Sequence, residues 1–264
     1  MTKVRLDVLL TERGLAESRS RAQALVMAGK VRVGGEIVTK AGTQIPAEAD
    51  ISVDSGLPYV SRGGLKLAAA LNAFQIDPTG LVCADVGAST GGFTEVLLQQ
   101  GATRVYAIDV GYGQLAWKLR QNERVTVMER TNARHVETLP EPVSLVTIDV
   151  SFISLQLILP TIIKWLVLPA LVIPLVKPQF EAGKAQVGKG GVVRDRAIHR
   201  QVLKDTIAYA GSIGLTLLGL IPSPITGPAG NYEFFACFGW GTDRPSLEST
   251  EAVEACLLSL PQPS

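Results

Sequence analysis

Residues 85–94 read Asp85-Val86-Gly87-Ala88-Ser89-Thr90-Gly91-Gly92-Phe93-Thr94. A short apolar run, Leu81–Val86, leads into this stretch, and a helical pattern from Phe93 to Leu98 leaves it. A strand that passes into a helix through glycines is the ligand-holding turn of an α/β sheet, because glycine lets the backbone bend sharply and approach a bound molecule. The spacing is neither G-x-G-x-x-G nor G-x-x-x-x-G-K-[ST], which argues against a dinucleotide cradle and a P-loop.

An acid before the first glycine suits a ligand with amine or hydroxyl groups. Asp109 ends the next strand candidate, where a carboxylate can accept both hydroxyls of a ribose. Together these features make the pattern of S-adenosylmethionine binding. The cofactor candidates are Asp85, Gly87, Ala88, Ser89, Thr90, Gly91, Gly92, Phe93, Asp109 and Asn132, the last read for adenine contact from a strand end.

Working outward, strand candidates recur at Leu81–Val86, Val105–Ile108, Val125–Met128, Leu145–Ile148, Leu171–Val176, Leu215–Ile221 and Phe234–Phe238, with helical patterns in most gaps. This alternation predicts a doubly wound, mostly parallel Rossmann-like sheet over residues 63–241, with ligands at the carboxyl ends of its strands. Residues 242–264 read as a C-terminal tail without assigned function. The run from Leu155 to Val176 is apolar, but Lys164, Pro160, Pro169 and Pro174 interrupt it. Its uncharged pieces fall short of a membrane span, and a buried helix followed by a buried strand is the expectation.

Residues 1–57 read as a separate small α+β module. Leu6, Leu9 and Leu10 keep helical spacing up to Gly14, and a second helix is capped by Ser18 or Ser20 and stopped by Gly29. Val31-Arg32-Val33, Gly34-Gly35 and Glu36-Ile37-Val38 form a hairpin pattern, with a further strand at Ile51 and Val53. Eight basic side chains nearly balance seven acidic ones here, yet no acid lies between Arg19 and Glu36. The cluster of Arg19, Arg21, Lys30 and Arg32 can follow an RNA backbone. Residues 58–62, with Pro58 stiffening them, form the expected linker.

Polar residues at sheet ends mark the chemistry. Lys66 opens the first helix after the linker, Asp149 ends the fourth strand candidate, Lys177 ends the fifth, and Glu233 begins the last. Asp and Lys at two strand ends beside a cofactor loop make a catalytic site the natural reading. No metal is implied, since His135 and His199 are isolated and read as structural or surface residues. Cys83, Cys237 and Cys256 lie far apart, which suits a reducing cytoplasm. The opening MTKVRLDVLL lacks the long apolar run and cleavage site of a secretory signal. The whole chain of 264 residues has a net charge of +1, so a nucleic-acid partner has to be met by local patches.

Two resemblances extend these readings. Arg5-Leu6-Asp7, Ser18-Arg19-Ser20-Arg21-Ala22-Gln23 and Gly29-Lys30-Val31-Arg32-Val33-Gly34-Gly35 resemble the S-four-like (alpha-L) RNA-binding motif, which implies RNA contact through Arg5, Arg19, Arg21, Lys30 and Arg32. Lys66, Asp149, Lys177 and Glu233 resemble the Lys-Asp-Lys-Glu tetrad of FtsJ-type ribose 2′-O-methyltransferases. The chain from residue 3 to about 240 is similar to the TlyA-type ribosomal RNA methyltransferases, also called hemolysin A. Further stretches carry that likeness: Ser61-Arg62-Gly63, Val176-Lys177-Pro178-Gln179-Phe180-Glu181 and Lys189-Gly190-Gly191-Val192-Val193-Arg194-Asp195. Tyr59 stands where that family has Trp.

The resemblance implies a cytoplasmic enzyme that uses S-adenosylmethionine to methylate ribosomal RNA, free or in ribosomal subunits, on a cytidine ribose, with Arg62 near the RNA. Lys177 would either take the proton of the 2′-hydroxyl or stabilise the developing alkoxide. A non-catalytic RNA-binding or assembly factor is the alternative, and the complete tetrad speaks against it. A membrane-active hemolysin is a third reading, opposed by the broken apolar run.

Overall fold

A computed structural model describes residues 3–54 and 58–261, and Gly56 and Leu57, beside the expected linker, lie outside them. The chain forms two units, 1–58 and 59–264.

In the first unit, β1 (Lys3–Arg5) runs into α1 (Leu6–Glu12), and α2 (Arg19–Met27) follows. The Ser18 hydroxyl accepts a hydrogen bond from the Arg21 amide, the expected cap. Then come β2 (Val31–Val33), β3 (Glu36–Ile37), β4 (Gln44–Pro46) and β5 (Ile51–Val53). The predicted hairpin is present as β2–β3, with β5 paired on the other side of β2. Strands β1 and β4, too short and too polar to stand out in the sequence, make a second antiparallel pair. Leu6, Leu10, Ala22, Val26 and Val31 are fully buried and form the small core.

The second unit opens with α3 (Gly63–Ala73), β6 (Val82–Val86) and α4 (Gly92–Gln99), and continues with β7 (Arg104–Ile108), α5 (Trp117–Arg120), β8 (Val125–Met128) and β9 (Val143–Ile148). Next are α6 (Leu159–Ile162), β10 (Leu166–Val176), α7 (Pro178–Glu181), α8 (Arg196–Ser212), β11 (Thr216–Pro222), β12 (Phe234–Trp240) and α9 (Ser249–Leu258). All seven expected strands are there, within a few residues of their expected ends. They form one sheet in the order β11-β12-β10-β9-β6-β7-β8, in which β12 alone runs against the other six. The expected helix after Leu155 is broken into a 3₁₀ turn, the short α6 started by Pro160, and a second 3₁₀ turn. No helix among the described residues is long and apolar enough to cross a membrane.

Two features of this sheet position the site. The chain steps outward from β6 to β8 and then returns to the other side of β6 as β9, so a crevice opens where β6 and β9 end. Strand β12 runs against β10 with Phe234 opposite Val176, so the residue before β12 and the residue after β10 share one edge.

The segment read as a tail belongs to the fold. Val253, Cys256 and Leu257 of α9 are buried in the same core as Val202, Leu217 and Phe238. Their spacing gives one apolar helix face, while Glu251 and Glu254 take the other side. Replacing Leu257 by Ala should lower the unfolding free energy by about 2–5 kcal/mol, the usual loss for a large apolar side chain cut back in a core. Urea titration checks this, and an unchanged midpoint would return the segment to the status of a tail.

Candidate active site

The loop after β6 is held by its neighbours before any ligand is considered. Gly87 has φ +85°, and a Cβ there would lie 2.4 Å from the backbone oxygen of Asp149. Only glycine lets the ends of β6 and β9 approach this closely. The Ser89 amide donates to Asp109 Oδ2 at 2.8 Å, and the Gly111 amide donates to Oδ1 at 2.6 Å. Asp109 thus joins the β6 loop to the loop after β7.

Two adjoining chambers share Gly87, Ser89 and Asp149. The larger, 480 Å³, is walled by Asp109, Asn132, Gln114, Ser151 and the apolar Ile108, Ile153 and Ile158. The smaller, 370 Å³, is walled by Ser61, Arg62, Lys66, Ala88, Thr90, Gly92, Phe93 and Asp149, with Ile225 and Thr226 opposite. Asn132 Oδ1 accepts from the Arg134 amide at 3.1 Å, capping a 3₁₀ turn, so the residue also has the turn-forming role common at strand ends.

Asp85 stands apart from the other cofactor candidates. It is fully buried and contributes to neither chamber. Thr94 Oγ1 donates to its Oδ2 at 2.7 Å, and Thr147 Oγ1 lies 3.4 Å from Oδ1. Its carboxylate does not line the chambers here: it fastens α4 to β6 from behind the loop. Burial pushes its carboxyl up to about 7, with the Asp149 charge adding to the rise and the Thr94 hydrogen bond opposing it. Gly91 likewise lies outside both chamber walls, where a Cβ would strike Leu119 and Leu115.

The four polar residues at the sheet ends come together as two ion pairs. Lys66 Nζ lies 2.5 Å from Glu233 Oε2, and both side chains are buried. Lys177 Nζ lies 2.7 Å from Asp149 Oδ1. The register of β10 on β12 brings the pairs to one edge. Lys66 and Asp149 face the chambers, while Lys177 and Glu233 stand behind them. Lys177 Nζ also donates to Ser151 Oγ at 3.0 Å, whereas Asp149 Oδ1 has close charge contact but no hydrogen bond of good geometry.

Ser151, Phe152 and Gln179 also stand at the site, and no spacing in the sequence singles them out. Gln179 Nε2 donates to Glu233 Oε1 at 3.4 Å, and Phe152 is 90% exposed at the chamber rim. A phenylalanine after an apolar strand reads as core, so only the fold shows it in solvent. His199 is buried with its Nε2 against the Val193 carbonyl at 3.1 Å, the structural role expected, and burial lowers its pKa.

In the first unit, the fully buried Asp7 gathers Arg5 at 2.9 Å and Arg19 at 3.0 Å, and accepts from Gln23. The Arg5 hydrogen bond holds its carboxyl well below the usual carboxylate range despite burial. Arg5 and Arg19 are thus already partnered, whereas Arg21 and Lys30 have no ion pair among the described residues. Arg32 donates to the Gly35 carbonyl.

A profile described as FtsJ-like methyltransferase matches residues 59–240, and one described as S4 domain matches residues 4–51. The chain belongs to the FtsJ-like methyltransferase family. Within it, the chain is 48% identical over 246 residues to the 16S/23S rRNA (cytidine-2′-O)-methyltransferase TlyA of Mycobacterium tuberculosis, covering 92% of each. It is 41% identical to Hemolysin A of Brachyspira hyodysenteriae, covering 89% of this chain and 99% of that one. The solved structure of a presumed hemolysin from Streptococcus thermophilus superposes with a TM-score of 0.74 at 45% identity, covering 98% of this chain and 95% of that one. This FtsJ-like chain is thus of the TlyA type, a methyltransferase with an S4 domain at its head, and S-adenosylmethionine is the methyl donor of that family.

The buried Asp85 gives a pH signature. Its folded pKa lies above the ordinary 3.8, so the folded form holds a proton that the unfolded chain has lost. Its contribution is fully present below about 4 and declines as pH rises through about 7. Asp85→Asn should flatten the decline of melting temperature over that window. A variant that reproduces the wild-type pH slope would remove Asp85 as its source.

Proposed function

We propose that this chain transfers the methyl group of S-adenosylmethionine to the 2′-hydroxyl of a cytidine in ribosomal RNA. The observation that carries the reading is the pair of buried Lys–carboxylate contacts at the mouth of a cleft built for a nucleoside. The family places the chain among methyltransferases, and its TlyA relative is named for the cytidine reaction.

The larger chamber fits the adenosyl part. Asp109 keeps acceptor capacity beyond its two backbone donors, so a ribose diol can bind there, and the isoleucine walls suit a flat base. Gly87 and Gly92 leave backbone bare where the amino-acid part would lie. When bound, the cofactor supplies an electrophilic methyl on a sulfonium.

The chain's own part is to hold a ribose hydroxyl in line and to manage its proton. Asp149 Oδ1, in charge contact with the Lys177 ammonium but with no well-aligned hydrogen bond, is placed to accept the hydroxyl hydrogen. Lys177, fixed by Asp149 and Ser151, stabilises negative charge as it grows on that oxygen. Lys66, held by Glu233, faces the smaller chamber and fixes the sugar edge there. The exposed ring of Phe152 offers a face for the target base. Holding two reactants in line supplies much of the rate gain.

Lys177→Ala should abolish methyl transfer to ribosomal RNA, while calorimetry still finds cofactor binding and the melting temperature stays near wild type. Lys177→Arg should fail too, because a planar guanidinium cannot keep both the Asp149 and Ser151 contacts. Wild-type turnover in either variant would overturn the assignment. Asp109→Ala should instead weaken cofactor binding by about 1–3 kcal/mol, the cost of lost charged hydrogen bonds.

For the first unit, we infer RNA affinity centred on Arg21 and Lys30, supported by their freedom from ion pairs and by the S4 match. Changing both to Ala should weaken RNA binding and reduce the log–log salt slope by about 0.7–0.9 per lost phosphate contact. An equal slope would place the RNA surface elsewhere.

A further inference from the structure

The segment 182–194 has Lys184, Lys189 and Arg194 and no acidic side chain. All three cations are exposed, and none has an ion-pair partner among the described residues. The acid just before them, Glu181, turns inward and accepts from Ser154 Oγ at 2.6 Å and the Leu155 amide at 2.8 Å. The strip therefore presents uncompensated positive charge.

It borders a groove of 480 Å³ lined by Phe152, Gln179, Phe180, Lys184 and Gly188. Phe152 also walls the larger chamber, so the groove continues the cleft past its ring. That ring packs on Phe180, with centroids 4.8 Å apart. The Phe152 backbone has φ +63°, a left-handed conformation that is costly for an aromatic residue. A strained backbone that keeps an aromatic ring in water marks a place reserved for a contact.

We propose that this groove is a second nucleotide subsite, which takes the nucleotide joined to the 3′ side of the methylated residue. Its phosphodiester meets Lys184 and its base lies against Phe180. The inference rests on the function proposed above. Sugar chemistry gives the direction. The 2′-oxygen and the 3′-oxygen sit on neighbouring ring carbons, so the strand that leaves through the 3′-phosphate departs from the edge of the sugar that reacts. The chain that leads from the reacting centre to the groove is Lys177, Pro178, Gln179 and Phe180, four consecutive residues. The 5′ strand leaves from the far end of the sugar. A nucleotide matches both features of the groove, one negative charge for the cation and one flat face for the ring. An acidic peptide would use only the cations.

The test compares the dinucleotides CpA and ApC as inhibitors of methyl transfer to ribosomal RNA by the full chain. CpA, with its extra residue on the 3′ side, should inhibit at up to about fivefold lower concentration, the upper end for one exposed ion pair. A neutral methylphosphonate linkage in CpA should erase that advantage. Lys184→Glu should erase it as well, and Lys184→Gln should reduce it, both with unchanged cofactor affinity. Equal inhibition by ApC would overturn the subsite, as would a CpA preference that survives in Lys184→Glu, or no inhibition by either at millimolar concentration. A poly-glutamate peptide that inhibits better than CpA would also overturn it. If the wild-type chain transfers no methyl group to ribosomal RNA, the function reading fails. Direct binding of the two dinucleotides, followed by saturation-transfer magnetic resonance, then still decides the subsite.

Discussion

The contact between Lys66 and Glu233 constrains the rest of the second unit. It joins side chains 167 residues apart in sequence, and both are buried. Burying two charges is costly, and such a pair adds little net stability over well-packed apolar residues. Losing one partner is another matter, because the survivor stays charged in a dry interior at a cost of about 3–5 kcal/mol. The pair is thus a poor glue but a strict gauge. It holds α3 against the start of β12, and the register of β12 on β10 then fixes where Lys177 emerges. The smaller chamber takes its shape from that spacing.

Much of this was legible in the sequence because the sheet is built from apolar runs that end in polar residues. Every strand of the large sheet could be located, and Asp149, Lys177 and Glu233 were visible as polar residues at strand ends. What stayed hidden depends on direction and on distant partners. Asp85 precedes a glycine as a ligand-facing acid would, but its side chain turns toward Thr94 and Thr147, which sequence spacing does not show. Arg5 and Arg19 look like free cations until Asp7 is seen between them. Helix α9 follows a stretch with Asp243, Pro245 and Ser246, and its short apolar face is diluted by glutamates, so it reads as tail.

Charge in this chain is used in two ways. At the sheet edge, cations are paired and buried, which fixes their geometry. Along 182–194, and at the exposed Arg21 and half-buried Lys30, they are left without ion pairs among the described residues, which suits a polyanion that exchanges with salt. A net charge of +1 conceals that division. None of the described helices is long and apolar enough to cross a bilayer.

The position of β12 has a kinetic consequence. It is the last strand of the large sheet in the chain, yet it lies inside the sheet, between β10 and β11. Until it inserts, those two strands present open edges to solvent, and the Lys66 ammonium has no carboxylate. The pairing with β11 is a local hairpin, but the pairing with β10 forms slowly, because the long loop from Val176 to Phe234 must close before any contact rewards it. Folding intermediates of the second unit should thus be sticky along the β10 edge. The edge that carries Lys66, Lys177 and Glu233 would then be among the last parts of the molecule to form, after the loop that follows β6.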